Sequence, residues 1–229
     1  MTILQGILLG VIQGIAEFLP ISSSGHLAVA QHLFGLSDVP LLFDIFLHLA
    51  TLLAVVLYFR RVIWRLLCVF GRWIAHRPAP KAVASTDSKV KSLVPAEKQG
   101  RETIIMIILT TIVTGAIGIV TAKLIPDMPL KVLLKVVCVG FLFTALLLIA
   151  SAVVDKLISL HYAASSGVRG DRPFTGIRWW QALIIGFAQG IGTLPGVSRS
   201  GSTIAGALFC GVDRVTAGDY SFIVSIPAI

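Results

Sequence analysis

Two short stretches of this sequence place charged and hydroxyl-bearing side chains inside otherwise apolar segments. The candidate residues are Gln13, Glu17, Ser22, Ser23, Ser24, Gly25 and His26 in the first stretch, and Ser198, Arg199, Ser200 and Gly201 in the second. An ionised side chain in an apolar membrane helix costs about 2.5–3.5 kcal/mol on insertion scales, and it usually marks a functional site. Glu17 and Arg199 are therefore the first candidates.

Arg199 and the two serine-glycine turns indicate a binding site for phosphate groups. Arginine makes forked, charge-assisted hydrogen bonds to phosphate oxygens. Serines at the start of a helix lie beside free backbone N–H groups and the positive end of the helix dipole. Two alternatives stay open: the serines could be simple N-caps, and Arg199 could serve only as the partner of Glu17. The predicted phosphate-binding residues are Ser24, Gly25, Ser198, Arg199, Ser200 and Gly201.

Glu17, Ser22, Ser23, His26 and Arg199 are the candidate catalytic residues. Histidine exchanges a proton near neutral pH, so His26 could act as general base, nucleophile or leaving-group acid. Ser22 and Ser23 lie three or four residues earlier, within reach as activated hydroxyls. The spacing does not decide which of these three residues attacks.

Gln13 and Glu17 are four residues apart and project from one face of a helix. Their oxygens suit a hard divalent cation, Mg²⁺ or Ca²⁺. Alternatively, Glu17 could act with His26, or only hydrogen-bond a neighbouring break in the backbone. His48, in the first full span, could face the same cavity, but a lone histidine there is more often a hydrogen-bonded packing residue, and we interpret it so.

The two candidate stretches are copies of each other. When residues 5–26 are aligned with residues 181–202 without a gap, eight of the twenty-two positions are identical. Both copies carry small residues at every fourth position, which predicts close helix packing in a membrane. Both then break at a proline and a Ser-Gly turn. The chain is therefore an internal duplication.

The composition requires a membrane. The 229 residues are 56% hydrophobic and only 13% charged, which a water-soluble core of this size could not accommodate. The net charge of +8 is concentrated in one loop and interleaved with alanine, so it predicts membrane orientation and no nucleic-acid partner. The cysteines are isolated and predict neither a disulfide nor a zinc site: Cys68, Cys138 and Cys210.

The pattern predicts one all-α, polytopic transmembrane domain over residues 1–229. Repeat one covers 1–60, with a re-entrant hairpin over 3–36 and a span over 40–59. Next comes a basic cytoplasmic loop over 60–101. It is followed by two spans, over 103–122 and 132–154, which an outer turn joins, and by a second cytoplasmic loop over 155–178. Repeat two contributes a re-entrant hairpin over 179–212, and a span begins at residue 220 that we expect to continue past Ile229. Three spans separate the hairpins, which predicts an inverted-topology repeat.

The motifs QGIAEFLPISSSGH and PGVSRSG resemble the two signature regions of the undecaprenyl-pyrophosphate phosphatase family, also called the bacitracin-resistance family. The resemblance implies dephosphorylation of a C55 isoprenoid pyrophosphate at the outer face of the bacterial cytoplasmic (inner) membrane, which recycles the lipid carrier of peptidoglycan synthesis. It also implies dependence on a divalent cation. The family has an acidic residue or glutamine four before its glutamate, so Gln13 would be a neutral ligand beside Glu17.

The alternative function is a lipid-phosphate transporter or flippase, because secondary transporters also build their sites from inverted repeats with broken helices. The Ser and His cluster in only one repeat favours chemistry over symmetric transport. A purely structural protein would leave Glu17 and Arg199 without a purpose. The expected partners are an isoprenoid lipid pyrophosphate, the bilayer, and a second copy in a homodimer that could form through the glycine-rich helix faces.

Overall fold

The computed structural model describes residues 1–36, 39–77, 93, 97–124, 130–166 and 176–228. Within these ranges the protein is all-α, as predicted, with nine helices and no strand. The helices are α1 (Ile3–Phe18), α2 (Ser23–Leu33), α3 (Leu41–Tyr58), α4 (Arg60–Ile74), α5 (Glu97–Leu124), α6 (Leu130–Ser166), α7 (Trp179–Ile191), α8 (Arg199–Phe209) and α9 (Arg214–Ser225), followed by the 3-10 turn Ile226–Ala228.

The helix surfaces carry the apolar belt of a membrane protein. α5 and α6 are each long and apolar enough to cross a bilayer, and α3 and α4 together could form a third span, although they are bent by 74° at their junction. Ile112, Leu142 and Ile149 face outward and are 62–63% exposed. An apolar surface of this extent would be unfavourable in contact with water. The chain is a multi-pass membrane protein. The inverted topology and the re-entrant path of the hairpins stay predictions.

Residues 60–74 form a helix, α4, although they were predicted to belong to the basic loop. Val62, Leu66 and Val69 recur at helical spacing and are buried, while arginines occupy other positions of the same helix. The segment has the composition of a polar loop, but its apolar and basic residues lie on different faces of α4, so the helix is amphipathic. Most of the predicted loop beyond residue 77 lies outside the described residues, as does nearly all of the predicted outer turn.

α6 continues to Ser166, so residues 155–166 are helical although they were predicted to belong to a loop. The membrane boundary at residue 154 stays a prediction. A long-range ion pair lies at the start of this extension. Asp155 is buried, and its Oδ2 lies 2.5 Å from Nε of Arg214. Arg214 itself begins α9, six residues earlier than the predicted segment, because Asp213 caps the helix by accepting the Thr216 N–H at 2.9 Å.

The two hairpins, α1–α2 and α7–α8, form where the sequence places them. α1 ends at Phe18 and α2 begins at Ser23; α7 ends at Ile191 and α8 begins at Arg199. Ser22 adopts a positive φ of 69° where the first chain turns, whereas the second turn uses Gly196 at 82°. Each turn therefore contains one residue with left-handed backbone, and it directs the following helix back along its partner.

α7 packs closely on α5, as its small residues predict. A Cβ at Gly186 would lie 2.8 Å from the Thr110 carbonyl oxygen, and one at Gly190 would lie 2.6 Å from Cβ of Ile117. Thr114 of α5 donates to the Gly186 carbonyl at 3.1 Å. These contacts hold the end of α7, from which the second turn starts, against a long membrane-spanning helix.

Candidate active site

The two hairpins meet at an ion pair. Oε1 of Glu17, near the end of α1, lies 2.6 Å from Nη2 of Arg199, the first residue of α8. The side chains are only 13% and 19% exposed, respectively. The carboxylate of one sequence copy is thus bound by the guanidinium of the other, and both charges lie at the junction of the copies.

The second carboxylate oxygen of Glu17 is bound from its own hairpin. Oε2 accepts a hydrogen bond from the Ser23 hydroxyl at 2.6 Å and another from the Gln13 side-chain amide at 3.1 Å. Gln13 is one helical turn before Glu17, and Ser23 is the first residue of α2. Both oxygens of the carboxylate are therefore held in place, and a serine hydroxyl is directed at one of them.

Arg199 is held by groups from several elements. In addition to the ion pair with Glu17, Nη1 of Arg199 donates to the Ala228 carbonyl oxygen at 3.1 Å. The Thr203 hydroxyl donates to the backbone carbonyl of Arg199. The preceding residue, Ser198, caps α8. These contacts restrict the side-chain conformations of Arg199 and hold its guanidinium at the cavity.

Ser22 and Ser198 act as N-caps. Their hydroxyl oxygens accept the N–H groups of Gly25 and Gly201 at 3.4 Å and 3.0 Å. The N-cap interpretation of these two serines is therefore confirmed. The phosphate-binding role predicted for Ser24, Gly25, Ser198, Ser200 and Gly201 stays a prediction.

A cavity of about 280 Å³ opens between the two turns. Its wall contains Glu17 and Arg199, the serines of both turns, and three side chains that were not among the predicted site residues. These are His48, Thr114 and Thr193. The volume suits a small polar group such as a pyrophosphate, and opposite charges lie in its wall.

The two histidines lie on different sides of the cavity wall. His26 does not line the cavity: its Nδ1 is 2.7 Å from the Ser22 carbonyl oxygen, and its ring packs on Phe141 with centroids 4.8 Å apart. His48 lines it, with Nδ1 2.8 Å from the Asp44 carbonyl oxygen. The signal for His48 was present, because an ionisable residue within an apolar span is a site candidate by default.

The residues predicted to bind a cation are adjacent. Oε1 of Gln13 is fully buried and has no hydrogen-bond partner, beside the carboxylate of Glu17. Among the described residues no group of three or more His, Cys, Asp or Glu side chains could hold a metal. The amide nitrogen of Gln13, and not Oε1, faces the Glu17 carboxylate. The binding of a divalent cation by these two side chains stays a prediction; such an ion would take most of its ligands from phosphate and water, as Mg²⁺ commonly does.

Comparison with known proteins identifies relatives of this chain. The chain is 42% identical to the undecaprenyl-diphosphatase of Treponema denticola over 229 residues, which cover all of this chain and 73% of that protein. It is 42% identical to the enzyme of the same name from Desulfatibacillum aliphaticivorans, with 99% and 74% covered, and 37% identical to that of Desulforapulum autotrophicum, with 100% and 75% covered. The sequence model of one family, described as bacitracin resistance protein BacA, matches residues 6–229. Because that match covers nearly the whole chain, the chain belongs to the BacA family.

Proposed function

We propose that this protein is a membrane phosphatase that hydrolyses undecaprenyl pyrophosphate to undecaprenyl phosphate and inorganic phosphate. The observation that carries the proposal is the Glu17–Arg199 pair with the Ser23 hydroxyl on the same carboxylate. A hydroxyl nucleophile (Ser23), a proton acceptor (Glu17) and a phosphate-binding guanidinium (Arg199) thus line one cavity. The names of the relatives, and their similarity over all or nearly all of this chain, support the substrate.

Arg199 binds the pyrophosphate. Its guanidinium has five N–H donors in a planar fork that matches phosphate oxygens, and only Nη1 and Nη2 are engaged in the contacts above. Phosphate oxygens compete with Glu17 for this fork. Substrate binding therefore frees the carboxylate at the moment when a proton acceptor is needed.

Ser23 is the nucleophile. Its Oγ bonds to the terminal phosphorus, and the bond from that phosphorus to the bridging oxygen breaks, so that undecaprenyl phosphate leaves with the bridging oxygen. The hydroxyl proton passes to Oε2 of Glu17, to which it already donates at 2.6 Å. Water then cleaves the serine phosphate ester and releases inorganic phosphate. Ser22 is less suited because its oxygen caps α2 and the residue is 3% exposed.

His26 is the candidate for proton transfer to the leaving group. With Nδ1 on the Ser22 carbonyl, Nε2 is the nitrogen left for that exchange. A divalent cation held by Glu17 and Gln13 would neutralise phosphate charge in the transition state. Arg199 and the N-terminal N–H groups of α2 and α8 stabilise the same charge.

The charge distribution supports a location and an orientation in the membrane. Ten of the nineteen Lys and Arg residues lie in 60–101, which favours a cytoplasmic side for this segment and an active site that opens to the outer face of the bacterial inner membrane. There the enzyme would recycle the lipid carrier for peptidoglycan synthesis. A homodimer could form through α1, because a Cβ at Gly14 would have no neighbour within 4 Å.

The test is phosphate release from undecaprenyl pyrophosphate by the purified protein in detergent, with and without EDTA. We expect release by the wild type that the chelator stops, and a loss of at least about 10³-fold in Ser23→Ala. The matched control is Ser151→Ala, because Ser151 is a buried serine outside the site that bonds the Leu148 carbonyl of its own helix. It should keep wild-type activity.

A wild type that binds the lipid but releases no phosphate with Mg²⁺ or Ca²⁺ would reject the phosphatase. The transporter would then become the better explanation, since the two copies share most of their local contacts. Movement of the labelled lipid across reconstituted vesicles would measure that activity directly.

A further inference from the structure

One helix, α6, contacts both turns of the candidate site. On the second turn, Gly196 lies directly on it: a Cβ at Gly196 would be 2.5 Å from the Val137 carbonyl oxygen, and one at Gly140 would be 2.6 Å from the Gly196 carbonyl carbon. On the first turn, a Cβ at Gly25 would be 2.6 Å from the ring of Phe141. α6 is thus in contact with the backbone that precedes Arg199 and with the backbone that follows Ser23.

Thr144 adds a directional contact one helical turn beyond Gly140. Its Oγ1 accepts the N–H of Ser198 at 3.0 Å, and both residues are at least 97% buried. Ser198 is held from its other side too, since its own hydroxyl accepts the Gly201 N–H. The residue immediately before Arg199 is therefore fixed at its backbone by α6 and at its side chain by α8.

Thr144 does not line the cavity and contacts no group proposed to react. Any influence on the reaction must pass through Ser198. Because Ser198 is the N-cap, its position sets both the direction in which α8 starts and the point from which the Arg199 side chain leaves the backbone.

We propose that Thr144 is a positioning residue that sets the guanidinium of Arg199 at the pyrophosphate, an inference that rests on the proposed function. Replacing the hydroxyl by a methyl in Thr144→Val preserves volume but leaves the buried Ser198 N–H without an acceptor. The turn must then shift to find one. A displacement of about 1 Å in a substrate-binding group can cost on the order of 100-fold in rate.

The experiment compares Thr144→Val, Thr144→Ser and a matched control, Thr110→Val, by phosphate release and by binding of inorganic pyrophosphate. Thr110 is a fully buried threonine that also bridges helices, with Oγ1 on the Ala182 carbonyl at 3.2 Å and on the Tyr220 hydroxyl at 2.9 Å. We expect roughly a tenfold to hundredfold loss of kcat/KM in Thr144→Val, recovery in Thr144→Ser, and near-normal kinetics in Thr110→Val despite a similar fall in melting temperature.

A double-mutant cycle separates positioning from general destabilisation. If Thr144 acts through Arg199, Thr144→Val should cause little further loss in an Arg199→Lys background, whereas independent effects would multiply. Multiplying effects, or equal losses in Thr144→Val and Thr110→Val, would overturn the positioning role while leaving the phosphatase intact. A wild type that neither binds pyrophosphate nor releases phosphate would overturn both proposals.

Discussion

Gln5 in the first hairpin accepts the Thr2 N–H at 2.7 Å and donates to the Phe34 carbonyl at 3.4 Å. Gln181, at the equivalent place in the second hairpin, accepts the Arg178 N–H at 2.7 Å and donates to the Cys210 carbonyl at 3.0 Å. The capping serines of α2 and α8 correspond in the same way. The two hairpins have therefore kept the same set of backbone contacts.

Their reactive side chains differ at the aligned positions. Glu17 aligns with Thr193, which bonds the Thr121 hydroxyl and the Gly190 carbonyl, and Ser23 aligns with Arg199. One copy thus supplies an anion and a hydroxyl, and the other supplies a cation. The comparison teaches that the duplication provides the scaffold twice, while the site depends on the positions at which the copies have diverged.

Among substitutions that exchange aligned residues of the two copies, making the second turn like the first should have the largest effect. Arg199→Ser introduces the residue of the equivalent position, removes the guanidinium and leaves Glu17 without its ion pair. We expect phosphate release to fall about 10²–10³-fold, the typical cost of losing a group that stabilises transition-state charge. Measured kcat/KM for this variant and for Arg199→Lys decides the outcome.

Arg199→Lys keeps the charge but loses the planar fork, so roughly a tenfold loss or more is expected. Near-normal activity of the lysine variant would show that forked binding is not needed. Near-normal activity of the serine variant would remove Arg199 from the mechanism and, with it, the complementarity of the two copies.

His26 offers a smaller test, because the equivalent residue is a serine, Ser202. His26→Ser should lower phosphate release about tenfold to a hundredfold if His26 transfers a proton. His26→Asn keeps a donor that can reach the Ser22 carbonyl oxygen but cannot exchange a proton near neutral pH. Activity of both variants across the pH range is the measurement.

Equal losses in the serine and asparagine variants, with a flattened pH profile, would support proton transfer. Recovery by asparagine would instead assign His26 to holding the first turn. In that case His48, which lines the cavity, would be the next histidine to replace.

The residues at the site were predicted where local pattern was sufficient. The breaks after α1 and α7 follow from proline, glycine and serine, and the meeting of Glu17 with Arg199 follows from the duplication. His48 was assigned to packing because a single histidine in an apolar span has no partner in the local sequence that would favour a cavity position. The Asp155–Arg214 ion pair could not be predicted because the two residues are 59 positions apart and no local pattern links them.

The smallest expected effect concerns the contacts that the copies share. Gln181→Ala removes the side-chain amide that donates to the Cys210 carbonyl at 3.0 Å, and Gln181 is only 8% exposed. In Gln5→Ala the lost bond to Phe34 is 3.4 Å long and closer to solvent. Burial makes an unsatisfied group more costly, so Gln181→Ala should lower the melting temperature by about 2–4 °C and Gln5→Ala by less.

Equal shifts would mean that both glutamines serve the fold alike; a larger shift in Gln5→Ala would contradict the ranking by burial. Neither variant should change KM, because the shared contacts support the turns without reaching the cavity.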